Sequence, residues 1–207
     1  MPICNLQFQI KDFAISMHRL SLRNFRSPIA LSLFLLTAII GYSLDQWTKV
    51  VAFDKLAGGV VMVDGVPKLL DHRTVVSIPG WLQFDVTANI GAVFGIGQGQ
   101  RTLFVLVSVA AILFIFYLFA TSGSQRLYQI VLGMLLAGVL GNLYDRVEFG
   151  YVRDMIHALP NKFIFGRPAF PWIFNVADTL LCTGVGLMIV HSFFHDPQKA
   201  KSQTQAA

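Results

Sequence analysis

Four long stretches of this chain carry almost no charge, and they decide the solvent it folds in. Ile29–Leu44 has sixteen uncharged residues and stays apolar again through Val50–Phe53. Thr102–Ala120 has nineteen uncharged residues, Leu127–Tyr144 eighteen, and Trp172–Val190 nineteen interrupted only by Asp178. About twenty apolar residues cross a bilayer core as a helix. Charged residues make up 13% of the 207-residue chain, against about 25% in soluble domains. Eighteen Phe spread along the chain exclude disorder, which needs high charge and few aromatics. The expectation is an all-α integral membrane protein with four transmembrane helices. No small-x-small cleavage site follows the first block, so it reads as an uncleaved anchor rather than a signal peptide.

The net charge of +5 reads as topology, because no basic stripe interleaved with aromatics speaks for nucleic acid. Four spans put both termini on one side, and short basic flanks place that side in the cytoplasm. Residues 1–28 form a basic segment. Within it Leu6, Ile10, Phe13, Met17 and Leu20 recur at four-three-four-three spacing, an amphipathic signal. It reads either as an interfacial helix or as sequence ahead of a start at Met17. Residues 29–194 form a single membrane-embedded domain, and 195–207 a cytoplasmic tail. Residues 54–100 make the first outer loop. There Val60–Val63 runs into Asp64-Gly65, a hairpin signal, while Val75-Val76 and Trp81–Val86 flank a Pro79-Gly80 turn. The expected product is a small extracytoplasmic β-cradle. Residues 147–171 read as a second loop, broken by Pro160, Pro168 and Pro171.

Ionisable groups at membrane depth are costly, and here they collect at the outer ends of the spans. Asp45 and Lys49 are four apart, so they share a helix face and pair. Asn142, Asp145 and Arg146 fall at i, i+3 and i+4 near the end of the third span. Gly133, Ala137 and Gly141 repeat every four residues, the spacing that brings transmembrane helices close. Asn175 and Asp178 are one turn apart at the start of the fourth span, and Asp178 has no basic residue within a turn. If the third helix bends back past its end, Asp154 faces Asp178. Two carboxylates against an apolar wall share one proton, and such a pair activates a water and protonates a leaving amine.

Other chemistries lack their residues. There is no HExxH, Walker loop or G-x-S-x-G, and no cofactor or metal site is expected. Cys4 and Cys182 form neither a disulfide framework nor a metal site. His191 and His195 lack a third ligand. His157 reads as interfacial.

In this order the motifs resemble bacterial lipoprotein signal peptidase, signal peptidase II. The resemblance spans roughly residues 29–194. It rests on Asp45-Gln46-x-Thr48-Lys49, Asn89-x-Gly91-Ala92-x-Phe94, Gly141-Asn142-Leu143-x-Asp145-Arg146, Val152-x-Asp154 and Phe174-Asn175-x-Ala177-Asp178. It implies an aspartic endopeptidase of the bacterial inner membrane with Asp154 and Asp178 as the catalytic pair. By the same resemblance Asn142, Arg146 and Asn175 order the site with Asp145 in support, and Ala177 belongs to the same set. Asp45, Lys49, Asn89 and Gly91 would hold the pocket and the substrate backbone. The implied substrates are diacylglyceryl-modified prolipoproteins, cleaved N-terminal to the lipidated cysteine, with membrane lipid as partner and globomycin-type peptides as inhibitors. Ala88 stands where the family usually has Arg, and the 50–88 loop is longer than typical. The alternative class is a small proton- or cation-coupled transporter. Such a protein would spread its polar groups towards the midplane rather than gather them at one end.

Overall fold

The computed structural model describes Phe25, residues 27–91, Gly97, residues 99–121 and residues 125–194. The amphipathic Leu6–Leu20 spacing, Cys4, Ala92, Phe94, His195 and the 195–207 tail lie outside the described residues.

Helix α1 (Pro28–Leu56) begins where its sequence says it should. Ser27 Oγ accepts from Ala30 N at 3.3 Å and Pro28 opens the first turn, a cap and a proline that supply or spare the orphan N–H groups. Helices α2 (Arg101–Thr121), α3 (Arg126–Glu148) and α4 (Val176–Phe194) follow. Among the described residues α1, α2 and α3 are long and apolar enough to cross a membrane, and α4 adds a shorter apolar stretch, Val176–Val190. Large apolar side chains such as Ile40, Leu106 and Leu113 stand exposed on the outside of the bundle, as they do when lipid is the solvent.

Helix α3 is central and touches α1, α2 and α4. Small residues let it approach so closely. Ala137 abuts Gly41 of α1, and a Cβ at Gly133 would lie 2.6 Å from Phe34 O. Gly138 faces the other way, where a Cβ would lie 2.6 Å from Ala177 O of α4. Phe34 stacks on Phe119 at 4.4 Å and, with Ala30, Leu132 and Leu136, builds an apolar core at the end of the bundle away from the polar residues.

The expected Asp-Gly hairpin is present. Strands β1 (Val60–Val63) and β2 (Val66–Leu69) pair across Asp64-Gly65, whose φ values of 53° and 78° define a type I′ turn. Strands β3 (Thr74–Ile78) and β4 (Leu82–Asn89) flank the Pro79-Gly80 turn. The sheet does not stop there. The second loop, read as broken by prolines, supplies β5 (Val152–Ala158). Ile173–Phe174, read as the start of the fourth apolar block, form strand β8 because β5 needs a partner there, and the helix begins only at Val176. The antiparallel order is β3-β4-β5-β8. The second loop also forms a separate hairpin of β6 (Phe163–Ile164) and β7 (Arg167–Pro168). The physical reason is the edge of β4, whose backbone groups need a partner, and β5 precedes all three prolines.

Asp154 therefore arrives on a strand and not by a bend of α3. The helix stops with Phe149 N donating to Asp145 O at 2.9 Å, and Gly150, at φ +84°, turns the chain into β5. A second core of Phe53, Leu56, Val86, Tyr151 and Met155 seals the sheet onto the end of α1.

Tight contact between α3 and α4 makes a prediction. Gly138→Ala puts a methyl against a backbone oxygen, and such overpacking costs about 1–3 kcal/mol. Gly186 of α4 has nothing within 4 Å of an added Cβ, so Gly186→Ala should be neutral or slightly stabilising. Thermal unfolding of the two variants in detergent should separate them clearly.

Candidate active site

The polar centre is organised by one ammonium group. Lys49 is completely buried, with Nζ 2.8 Å from Asp45 Oδ2 and 3.2 Å from Asp145 Oδ2. It also donates to Asn142 Oδ1 at 3.2 Å and Gly141 O at 3.4 Å. The i, i+4 pair read from sequence is thus present, and α3 adds a third charge to it. Asp45 Oδ1 accepts from Ala177 N at 2.9 Å, so a carboxylate of α1 satisfies a free N–H in the first turn of α4.

A second cation completes the balance. Arg153 Nη2 donates to Asp145 Oδ1 at 2.7 Å and to Gln46 Oε1 at 2.7 Å, and its backbone N donates to Asp145 Oδ2 at 2.9 Å. Its guanidinium lies 4.5 Å from the centroid of the Phe149 ring. Gln46 in turn donates to Asp45 Oδ2 and Gly141 O. Sequence reasoning assigned neither Arg153 nor Gln46 a role. The available signal was that Asp145, at a span end, needed a cation, and Arg153 is the basic residue beside Asp154. Arg153 stands across from Ala88 in the β4–β5 register.

Asp154 and Asp178 are built differently. Among the described residues neither forms an ion pair, and each is held by neutral N–H donors. Asp154 Oδ1 accepts from Asn175 Nδ2 at 2.7 Å and Oδ2 from Asn89 Nδ2 at 3.0 Å. Asp178 Oδ1 accepts from Asn142 Nδ2 at 2.8 Å and Oδ2 from Asn175 N at 3.2 Å. Asn175 Oδ1 accepts from Asp178 N at 2.9 Å, so Asn175 and Asp178 form a reciprocal capping box at the start of α4.

Each amide is oriented by what its oxygen receives. Asn142 Oδ1 accepts from Lys49 Nζ and, at 3.1 Å, from Asn175 Nδ2, which turns its Nδ2 towards Asp178. Asn89 Oδ1 accepts from Gly91 N at 2.9 Å, which turns its Nδ2 towards Asp154. Arg146 does not join the carboxylates by hydrogen bond. Its Nη2 donates to Gly91 O at 3.0 Å and its guanidinium lies 5.0 Å from the centroid of the Phe104 ring. It pins the segment that orients Asn89.

Asp154 is 1% exposed and Asp178 7%, and both line a cavity of about 280 Å³ walled by Phe170, Trp172 and Phe174. Burial first, and then the Asp178 charge, push the Asp154 carboxyl up to about 8. At neutral pH the buried pair therefore retains a proton, which belongs to the two carboxyls together.

A helical bundle of this type, with two buried carboxylates beside an antiparallel sheet, has counterparts among solved membrane enzymes. A bacterial membrane enzyme solved by the in meso method at 2.3 Å resolution has the same fold, with a TM-score of 0.61 and 28% identity over 76% of this chain and 85% of that one. Residues 37–194 match the family model of signal peptidase (SPase) II. A lipoprotein signal peptidase of Halalkalibacterium halodurans is 33% identical over 177 residues, 84% of this chain and 99% of its own. One from Geobacillus thermodenitrificans is 38% identical over 164 residues, 78% of this chain and 89% of its own. The chain belongs to the signal peptidase II family and is a peptidase.

The geometry around Lys49 predicts that charge alone does not suffice there. A guanidinium is larger and planar, and its donors are fixed in a fork. Lys49→Arg should still accumulate in the membrane but lose at least about tenfold in turnover, about 1.4 kcal/mol of barrier. Peptidase assays on equal amounts of purified protein check this. Unchanged turnover would reduce the Lys49–Asp45 pair to a helix anchor.

Proposed function

We propose that this peptidase removes signal peptides from diacylglyceryl-modified prolipoproteins, cutting on the N-terminal side of the lipidated cysteine, with Asp154 and Asp178 as its catalytic pair. The observation that carries the reading is that two buried carboxylates without an ion-pair partner among the described residues line one cavity, while the neighbouring charges of Asp45, Lys49, Asp145 and Arg153 neutralise one another. The family and the names of its members support the substrate class.

In this mechanism the ionised carboxylate takes a proton from a water, whose oxygen adds to the scissile carbonyl carbon. The protonated carboxyl then delivers its proton towards the leaving nitrogen. The C–N bond breaks, a new carboxyl group ends the signal peptide, and the cysteine acquires a free amine. Which aspartate plays which part belongs to the coupled pair. Asn89, Asn142 and Asn175 hold both carboxylates without neutralising them. Asp45, Lys49, Asp145, Arg146, Gly91 and Ala177 fix the helices and the β4 end that carry those amides. Residues 29–194 act as one domain in the inner membrane with α4 as a fourth span, both termini in the cytoplasm and the sheet and cavity at the outer face. Lipid on the substrate cysteine holds the scissile bond at the depth of the pair, and globomycin-type peptides block the cavity.

Two measurements test this. Asp154→Asn and Asp178→Asn should each abolish nearly all cleavage of a lipidated prolipoprotein, and the double variant should be scarcely worse, because groups acting as a unit are non-additive. A correctly inserted single variant cleaving at a near wild-type rate would end the aspartic reading.

The pH profile gives the second test. The Asp154 carboxyl is raised to about 8, so the proton needed for acid catalysis is present below that pH and lost above it. The rate should fall as pH rises through about 8. The same sign holds for stability. The unfolded chain ionises near the ordinary carboxylate range, so the folded state loses stability progressively from there up to about 8. A rate that keeps rising through pH 9 would contradict a shared proton.

A further inference from the structure

Between β5 and α4 the chain projects the β6–β7 hairpin, and among the described residues none covers its tip. Phe163 and Ile164 are well exposed, and Phe165 is 101% exposed. Pairing of Ile164 with Arg167 leaves Phe165 and Gly166 as a two-residue turn with φ of 50° and 74°. Positive φ at both positions is the type I′ turn that Asn-Gly or Asp-Gly fills, and this same molecule fills it with Asp64-Gly65 at its other hairpin. At the β6–β7 tip the left-handed position holds a phenylalanine, a bulky residue for which that conformation is an outlier. Its ring gains no burial from the protein in return.

Charge around the tip has one sign. Lys162 and Arg167 flank the apolar residues, and between Met155 and Trp172 there is no Asp or Glu. Large apolar side chains bracketed by cations suit the boundary between acyl chains and phosphates. We propose that the β6–β7 hairpin is a lipid-docking tip. Phe163, Ile164 and Phe165 enter the acyl layer beside the bundle, and Lys162 and Arg167 lie against lipid phosphates.

The base of the hairpin ties the tip to the cavity. Leu159 N donates to Trp81 O at 2.8 Å and Ala169 N to Lys162 O at 2.7 Å. His157 Nε2 lies 3.2 Å from Phe170 O, and the Phe170 ring, edge-on to Trp172 and Phe174, walls the cavity. A docked tip holds that wall at the level where a lipid-borne chain arrives, a consequence that rests on the proposed function. Docking itself does not.

The test is Phe165→Trp, reconstituted in vesicles of phosphatidylethanolamine and phosphatidylglycerol, with wild-type emission from Trp47, Trp81 and Trp172 subtracted. The added emission should be blue-shifted, lose most of its intensity when the acyl chains are brominated, and resist aqueous iodide. Adding Lys162→Gln and Arg167→Gln should shift it back towards the red. Emission quenched by iodide and untouched by brominated lipid would overturn the proposal. So would shielding that appears in detergent and grows with protein concentration, which would assign the tip to a second copy of the chain. A fully folded variant is expected, and Phe165→Asn, which suits the turn, should unfold at the same or a higher temperature. The readout needs no cleavage, so failure of the peptidase mechanism would leave it standing.

Discussion

One buried ammonium group holds this structure together. Lys49 sits between carboxylates of α1 and α3 with no access to solvent, where an unpaired charge would cost several kcal/mol. The group is tolerated because its charge is matched and its protons are all directed at oxygen. That requirement fixes the rotation of α1 against α3, and Asp45 passes the constraint to α4 by taking the Ala177 N–H.

The centre works by a division between charges that cancel and charges that do not. Asp45 and Asp145 face Lys49 and Arg153, so their charge is neutralised where it sits. Asp154 and Asp178 receive only amide and backbone N–H groups. At Asp154 the amide donors lower the proton affinity less than a cation would, and burial outweighs them. Proximity of the two groups couples them. The asparagines are therefore the connection between the neutralised quartet and the reactive pair, since Lys49 orients Asn142 and Asn142 holds Asp178.

The sheet contributes more than a cover. Strand β5 carries Arg153 into the quartet and Asp154 into the cavity on adjacent residues, because successive side chains of a strand point to opposite faces. Pairing with β4 brings Asn89 to the same edge. Aromatic residues of the segment before α4 then wall the cavity with apolar surface, which keeps the electrostatic interactions inside it strong.

Much of this was legible in the residues alone. Uncharged blocks gave the apolar helices, the four-residue stripe from Gly133 to Gly141 gave a close helix contact whose partner, α1, only the structure names, and Asp64-Gly65 gave the first hairpin. Each is a local signal, because period, length and turn chemistry act over a few neighbouring residues. Asp45 with Lys49, and Asn175 with Asp178, were readable for the same reason. What the sequence could not decide was which partners meet across long separations. The split of Asn142, Asp145 and Arg146 among three different tasks, the use of Arg153 and Gln46 to neutralise Asp145 and Asp45, and the passage of the second loop into the sheet all depend on contacts between residues far apart in the chain. Those are selected only when buried charges must be paired and strand edges closed at once, and that condition exists only in the assembled bundle.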